Sequence, residues 1–223
     1  MRKLAEEIAA GHERLDVLIN NADIGFGAPG AARELSQDGY ELRFAVNYLA
    51  PFLLTHLLLP LLERSAPARI VNVASIGQAP IDFDDVMLER RYDGYQAYGQ
   101  SKLALIMFTF DLARALEGRG VTANAIHPAT LMPTRMVAEA RMAPQSTLEE
   151  GADAVVRLAS SPKLDDVSGK FFDGRRPARA HRSAYDEQVR ARLRAASFEL
   201  APQDSFGVMT SQALQPMQTE RRS

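Results

Sequence analysis

The sequence predicts an α/β fold, a doubly wound parallel sheet of the Rossmann-like kind. Three observations predict it. Short apolar runs without polar alternation stand at 16–20 (DVLIN), 69–74 (RIVNVA) and 121–126 (VTANAI), as expected of strands buried on both faces of a parallel sheet. Long stretches of helical periodicity separate them, and strand alternating with helix marks a layered α/β architecture. The 223 residues, 46% hydrophobic and 24% charged, suffice for one domain with a full core.

Residues 2–10 read as an amphipathic helix closed by Gly11. After the 16–20 strand comes a glycine-rich loop, then a helical region over 35–62 that Pro51 should kink or split. Its section 48–62, YLAPFLLTHLLLPLL, is the most apolar stretch, too short to span a bilayer, and reads as a buried helix. The second strand, 69–74, leads into a loop over 75–92. Its acids Asp82, Asp84 and Asp85 read as a solvated loop or a helix N-terminus rather than a metal site.

A helix carrying Tyr98 runs to about residue 116 and ends at Gly118 and Gly120. Leu103, Ile106, Met107 and Phe110 form one stripe on it, and Leu105, Phe108 and Leu112 another. A helix apolar on most sides must be covered on most sides. The third strand ends at His127-Pro128; helices over 147–160 and 183–198 flank a short strand at 170–172. The chain thus reads as a single domain over 1–200, with a polar tail from 201 expected to be disordered.

The net charge of −2 steers the chain toward neither nucleic acid nor an anionic membrane. With no cysteine there is no disulfide, thiolate metal site or cysteine nucleophile, which fits a reducing compartment such as the cytoplasm. The N-terminus has no apolar run followed by a small-residue cleavage site, so it is not a secretory signal.

Chemistry concentrates in a few places. Tyr98 and Lys102, in YGQSK, lie one helical turn apart and share a face. A cation beside a phenol favours the phenolate, which makes the pair a proton-transfer device. Ser75 ends the second strand, and Asn20, Asn21 and Ala22 end the first. Ligands of open α/β sheets bind at such carboxyl ends. Asn47 is polar amid the apolar FAVNYLAPFLLT.

This set resembles the short-chain dehydrogenase/reductase family, in motifs NNADIG at 20–25, Asn47, NVAS at 72–75, YGQSK at 98–102 and HPATLMPT at 127–134. The long 75–98 loop and the C-terminal stretch from SGKFFDGRR look most like its retinol-dehydrogenase-like branch. The resemblance implies NAD or NADP as cofactor and a small-molecule carbonyl or alcohol as substrate. It implies Tyr98 as general acid/base, with Ser75 bonding the substrate oxygen. Lys102 would tune Tyr98 and bind the nicotinamide ribose, and Asn47 would hold a water. Asn20, Ala22, Pro128 and Thr130 would line the cofactor, with Thr134 competing for the threonine's role. A homodimer packed through the Tyr98 helix is the assembly it suggests; no metal is implied.

Departures from the family are also legible. NNAG reads NNAD; Asp23 can tolerate the left-handed backbone that glycine prefers, at some cost. Pro-Gly reads Pro128-Ala129. The family's opening strand, TGxxxGxG turn and helix have no counterpart in this sequence. About 60 residues or more are expected upstream, at about 30 per βαβ unit, with Met1 an internal or alternative start. Gly25, Gly27 and Gly30 spell G-x-G-x-x-G, but no acid follows near the end of the next strand, so they are not expected to hold a dinucleotide. Without upstream strands the 16–20 run would form a bare apolar edge. The alternative function is a non-catalytic scaffold that keeps the dehydrogenase shell.

Overall fold

The computed structural model describes residues 1–201; the expected disordered tail, past Ala201, lies outside the described residues. Four strands pair in parallel in chain order: β1 (Val17–Asn20), β2 (Ala68–Val73), β3 (Val121–His127) and β4 (Phe171–Asp173). A fifth, β5 (Arg176–Ala178), runs antiparallel beside β4 and adds an edge to the parallel sheet that the sequence predicted. RPA carries neither an apolar run nor an alternation, and its proline suits an edge strand.

The helices, in chain order, are α1 (Arg2–Gly11), α2 (Leu42–Phe44), α3 (Ala50–Arg64), α4 (Gly94–Ala115), α5 (Arg135–Glu139), α6 (Leu148–Ser160) and α7 (Glu187–Leu200). Side-chain caps fix several starts. Asp93 accepts from Gln96 N at the head of α4, Thr147 and Glu150 form a capping box on α6, and Asp186 caps α7. α5 is too short to show a periodicity in the sequence and was not predicted.

The helical region begins at Leu42 rather than near 35. Ser36 to Tyr40 instead closes a turn through Gly39, whose φ of 83° suits glycine, and Glu41 caps α2 through Phe44 N. Between α2 and α3 lies a π segment, Ala45–Leu49, so that Leu42–Arg64 is one continuous run of 23 residues. Pro51 has no N–H to donate to the carbonyl of Asn47 four residues back, which favours opening the helix there instead of breaking it. By length and composition this 23-residue run, longer than the 48–62 section singled out in the sequence, is apolar enough to cross a membrane. Here Phe44, Tyr48, Phe52, Leu58 and Leu62 are buried in the core.

The sheet is covered on both faces. Leu18, Ile70 and Ala123 meet the cluster formed by α1, α3, α4 and α7, while Val71, Val73, Ile126 and Phe172 meet Ala154 and Leu158 of α6. Because α6 packs on β2 and not on β1, the second face of β1 is open. Val17 and Ile19 are exposed there, not buried on both faces as predicted, and β1 is the edge of the sheet. The stripes of α4 are covered within one chain, Leu103, Leu105, Ile106, Met107 and Leu112 all being buried. Its apolar composition therefore carries no argument for a second copy.

Candidate active site

A cleft of about 1350 Å³ opens at the carboxyl ends of β1, β2 and β3. Strand parity decides what reaches it, since successive side chains take opposite faces. Ile19 and Asn21 line the cleft, whereas Asn20 turns toward α3 and α4. There its amide donates to Thr55 Oγ1 (3.0 Å) and Asn72 Oδ1 (2.7 Å), and Asn72 donates to Thr109 Oγ1 (2.8 Å). This buried ladder fixes β1, β2 and both helices in register. Ala22 is exposed and stands outside the cleft lining, while Asp23, the next residue, lies in it.

Asn47 sits in the π segment, buried, with its amide fully engaged by the protein. Oδ1 accepts from Ile24 N (2.8 Å), and Nδ2 donates to Ile24 O (2.9 Å) and Ser101 Oγ (3.1 Å). Ser101 in turn donates to the Tyr98 carbonyl (2.7 Å). The side chain thus ties the loop after β1 to the first turns of α4 instead of facing the cleft.

Ser75 and Tyr98 both line the cleft. A Cβ at Gly77 would lie 3.4 Å from Ser75 Oγ and 3.6 Å from Tyr98 Cε1, so hydroxyl and phenol ring border the same small space. Ser75 Oγ accepts from Gly77 N (3.0 Å), and its carbonyl accepts from Gln78, whose own amide oxygen takes the His181 N–H. Gly99, beside Tyr98, admits the loop: a Cβ there would lie 2.8 Å from Ala79 Cβ and 2.9 Å from Ala79 N. Phe26 stacks on Tyr95 (centroids 4.3 Å) and meets Tyr98 edge-on (5.7 Å), closing the aromatic side of the cleft.

Lys102 lies behind Tyr98, its ammonium 5.6 Å from the phenol ring centroid. It donates to the Val73 carbonyl (3.0 Å) and pairs with Asp23 Oδ2 (2.5 Å). The side chain is 1% exposed, and a buried cation requires such partners. Asp23 is not in the left-handed region; among the described residues only Leu88, Leu131 and Arg141 are non-glycines there. The sequence reading treated Asp23 as a backbone substitute and missed the carboxylate's partner. The signal was present, since a carboxylate replaces glycine in NNADIG while YGQSK, a second motif of the same set, supplies a lysine.

At the end of β3, His127 Nε2 and Thr130 Oγ1 are 3.1 Å apart. Burial holds the imidazole below its usual range, with Asp173 opposing and Lys102 adding to the shift. Pro128, Thr130 and Thr134 all line the cleft. Leu131, at φ 47°, stores backbone strain at its lip. Met132, Met136 and Met142 line the outer wall. The acids of the 75–92 loop serve its backbone: Asp85 accepts from Glu89 N and Arg90 N, which holds its carboxyl below the usual range.

The cleft is roomy enough for a nicotinamide and a substrate, and its polar groups, Asn21, Asp23, Ser75, Tyr98 and Thr130, suit a ribose and a carboxamide. Gly25, Gly27 and Gly30 do not form a pyrophosphate cradle, since the next helix begins only at Leu42.

A family model described as short chain dehydrogenase matches residues 1–145. Retinol dehydrogenase 13 of Homo sapiens is 40% identical over 217 residues, which are 90% of this chain and 64% of that protein. The chain therefore spans less than two thirds of that curated relative. A crystal structure of an uncharacterized Mycobacterium paratuberculosis protein matches with a TM-score of 0.69 at 32% identity, over 90% of this chain and 72% of that one. The Pseudomonas aeruginosa RhlG/NADP active-site complex matches with a TM-score of 0.60 at 29% identity, over 77% and 69%. With a parallel-stranded α/β core, a cleft holding Ser75 and Tyr98, and these likenesses, the chain belongs to the short-chain dehydrogenase family, in its retinol-dehydrogenase-like branch.

Proposed function

We propose that this protein is an NAD(P)-dependent oxidoreductase that interconverts an alcohol and a carbonyl compound. The observation that carries the reading is the shared position of Ser75 and Tyr98 in one cleft, with Lys102 directly behind the phenol. A bound nicotinamide supplies the hydride acceptor or donor. The chain's own residues do the rest. Ser75 Oγ holds the substrate oxygen, and Tyr98 Oη takes its proton in oxidation or returns it in reduction. Lys102 stands behind the phenol ring, paired with Asp23, and Asn47 keeps the Ile24 loop and α4 at a fixed separation. Asn21, Pro128 and Thr130 form the wall against which the nicotinamide half would lie.

The outer wall, with Phe26, Ile76, Met132, Met136 and Val155, is apolar and favours a substrate with a large apolar part. Retinol, in the name of the human relative, belongs to that class of alcohol.

Tyr98→Phe removes only the phenolic oxygen and tests the reading. Turnover of an apolar aldehyde with NADH or NADPH should fall by about 10²- to 10⁴-fold, with an unchanged circular dichroism spectrum. Equal turnover in the variant would move the proton step elsewhere. A scaffold without catalysis would show no turnover in either protein and unchanged binding of its partner.

A further inference from the structure

Asp23 stands between the buried ammonium and the open cleft. Its side chain is 21% exposed and lines the cleft, whereas Lys102 is 1% exposed and does not. The ammonium's other described partner, the Val73 carbonyl, is neutral. Other ionisable groups face this point from each neighbouring element. On β3, His127 is kept toward the neutral form by burial, with Asp173 of β4 beyond it. On α4, Asp93 is engaged as the helix cap and Tyr95 is exposed. On α5, Arg135 at the far lip is paired with Glu139. The counter-charge in contact with Lys102 is Asp23.

We propose that Asp23 is a positioning residue that sets the charge beside Tyr98: it pairs with Lys102 so that the phenol faces a neutral ion pair and not a bare ammonium. The step at Tyr98 then operates at a higher pH than an uncharged residue at position 23 would give. The field of a contact ion pair falls off faster than that of a single charge, so at the ring, 5.6 Å from Nζ, much of the cation's pull is cancelled. The pairing also explains how a nearly fully buried ammonium is held where a family glycine would offer no counter-charge. The arrangement of charge stands on geometry alone; its effect on catalysis rests on the oxidoreductase reading.

The test uses the whole chain with its six tyrosines labelled at ¹³Cζ and titrated by NMR, the Tyr98 signal being the one lost in Tyr98→Phe. In Asp23→Asn the Tyr98 midpoint should fall by on the order of one pH unit, while Asp23→Glu restores it toward the wild-type value. The double variant Asp23→Asn with Lys102→Met, again neutral, should return close to wild type. Asp23→Gly, which admits water to the ammonium, covers the case in which Asp23→Asn does not fold, and the remaining tyrosine signals report the fold. The pH profile of turnover should shift in the same direction. A Tyr98 midpoint that stays put or rises in both Asp23→Asn and Asp23→Gly overturns the proposal. A falling midpoint without turnover in any variant would keep it and sink the oxidoreductase reading; turnover with an unmoved midpoint would do the reverse.

Discussion

Single side chains in this protein divide between those that face the cleft and those that hold the frame, and the division does not follow polarity. Asn20 and Asn47, polar residues beside the cleft, spend their amides on Thr55, Asn72, Ile24 and Ser101. Ser75 and Tyr98 keep their hydroxyls at the cleft. His56 is a frame residue of another kind. It is buried between Phe52, Phe108 and Phe198, and burial pulls its pKa down from 6.5 to about 4. The unfolded chain therefore binds more protons than the folded one between those two values. The stability so gained is fully present above about pH 6.5 and is lost as pH falls toward 4, by about 3 kcal/mol at most. Urea unfolding at pH 7 and pH 4.5 checks this: His56→Leu should lose markedly less stability on acidification than wild type. An equal loss in both would mean that His56 is already protonated in the folded state.

At the level of elements, the helix bearing Tyr98 and the loop bearing Ser75 are set by their closest approach. Gly99 lets Ala79 come against α4, and a methyl there would require the 77–79 backbone to move. Gly99→Ala should cost about 1–3 kcal/mol of stability through overpacking. Its larger effect should fall on kcat, by up to about 10²-fold, since displacing a reacting group by an ångström has that scale. Steady-state kinetics beside a thermal melt separates the two; full kcat with a lowered Tm would place the strain away from Ser75.

The strands and long helices were legible in the sequence because DVLIN, RIVNVA and VTANAI are apolar and well separated. The start of α2 was not, since the run from Leu35 to Leu62 hides a turn through Gly39 that periodicity alone does not mark. Nor was the π segment, which arises from a missing N–H four residues away from the carbonyl it frees. β5 pairs only three residues and draws its place from β4 and not from its own composition. Of the site residues, those that end strands could be placed by the sequence, but their facing could not. Asn20 and Ile19 differ only by strand parity, and parity is fixed by register with β2.

Among the described residues the molecule is a five-stranded sheet whose helices leave a cleft at the carboxyl ends of its strands and a bare edge at β1. Both lie at the same side of the fold, with Ile19 exposed on β1 and also lining the cleft. The walls for a nicotinamide are there; the glycine loop after β1 leads into a turn and not into a helix that would hold a pyrophosphate. The central claim is that this arrangement receives a nicotinamide cofactor in the cleft lined by Asn21, Tyr98 and Thr130, and fluorescence titration of the purified chain with NADH and NADPH tests it most directly. Saturable binding of one of them, weakened at least about tenfold by Thr130→Arg in a protein of unchanged fold, is the predicted result. A folded wild-type protein that binds neither, or one whose affinity is indifferent to Thr130→Arg, would contradict it.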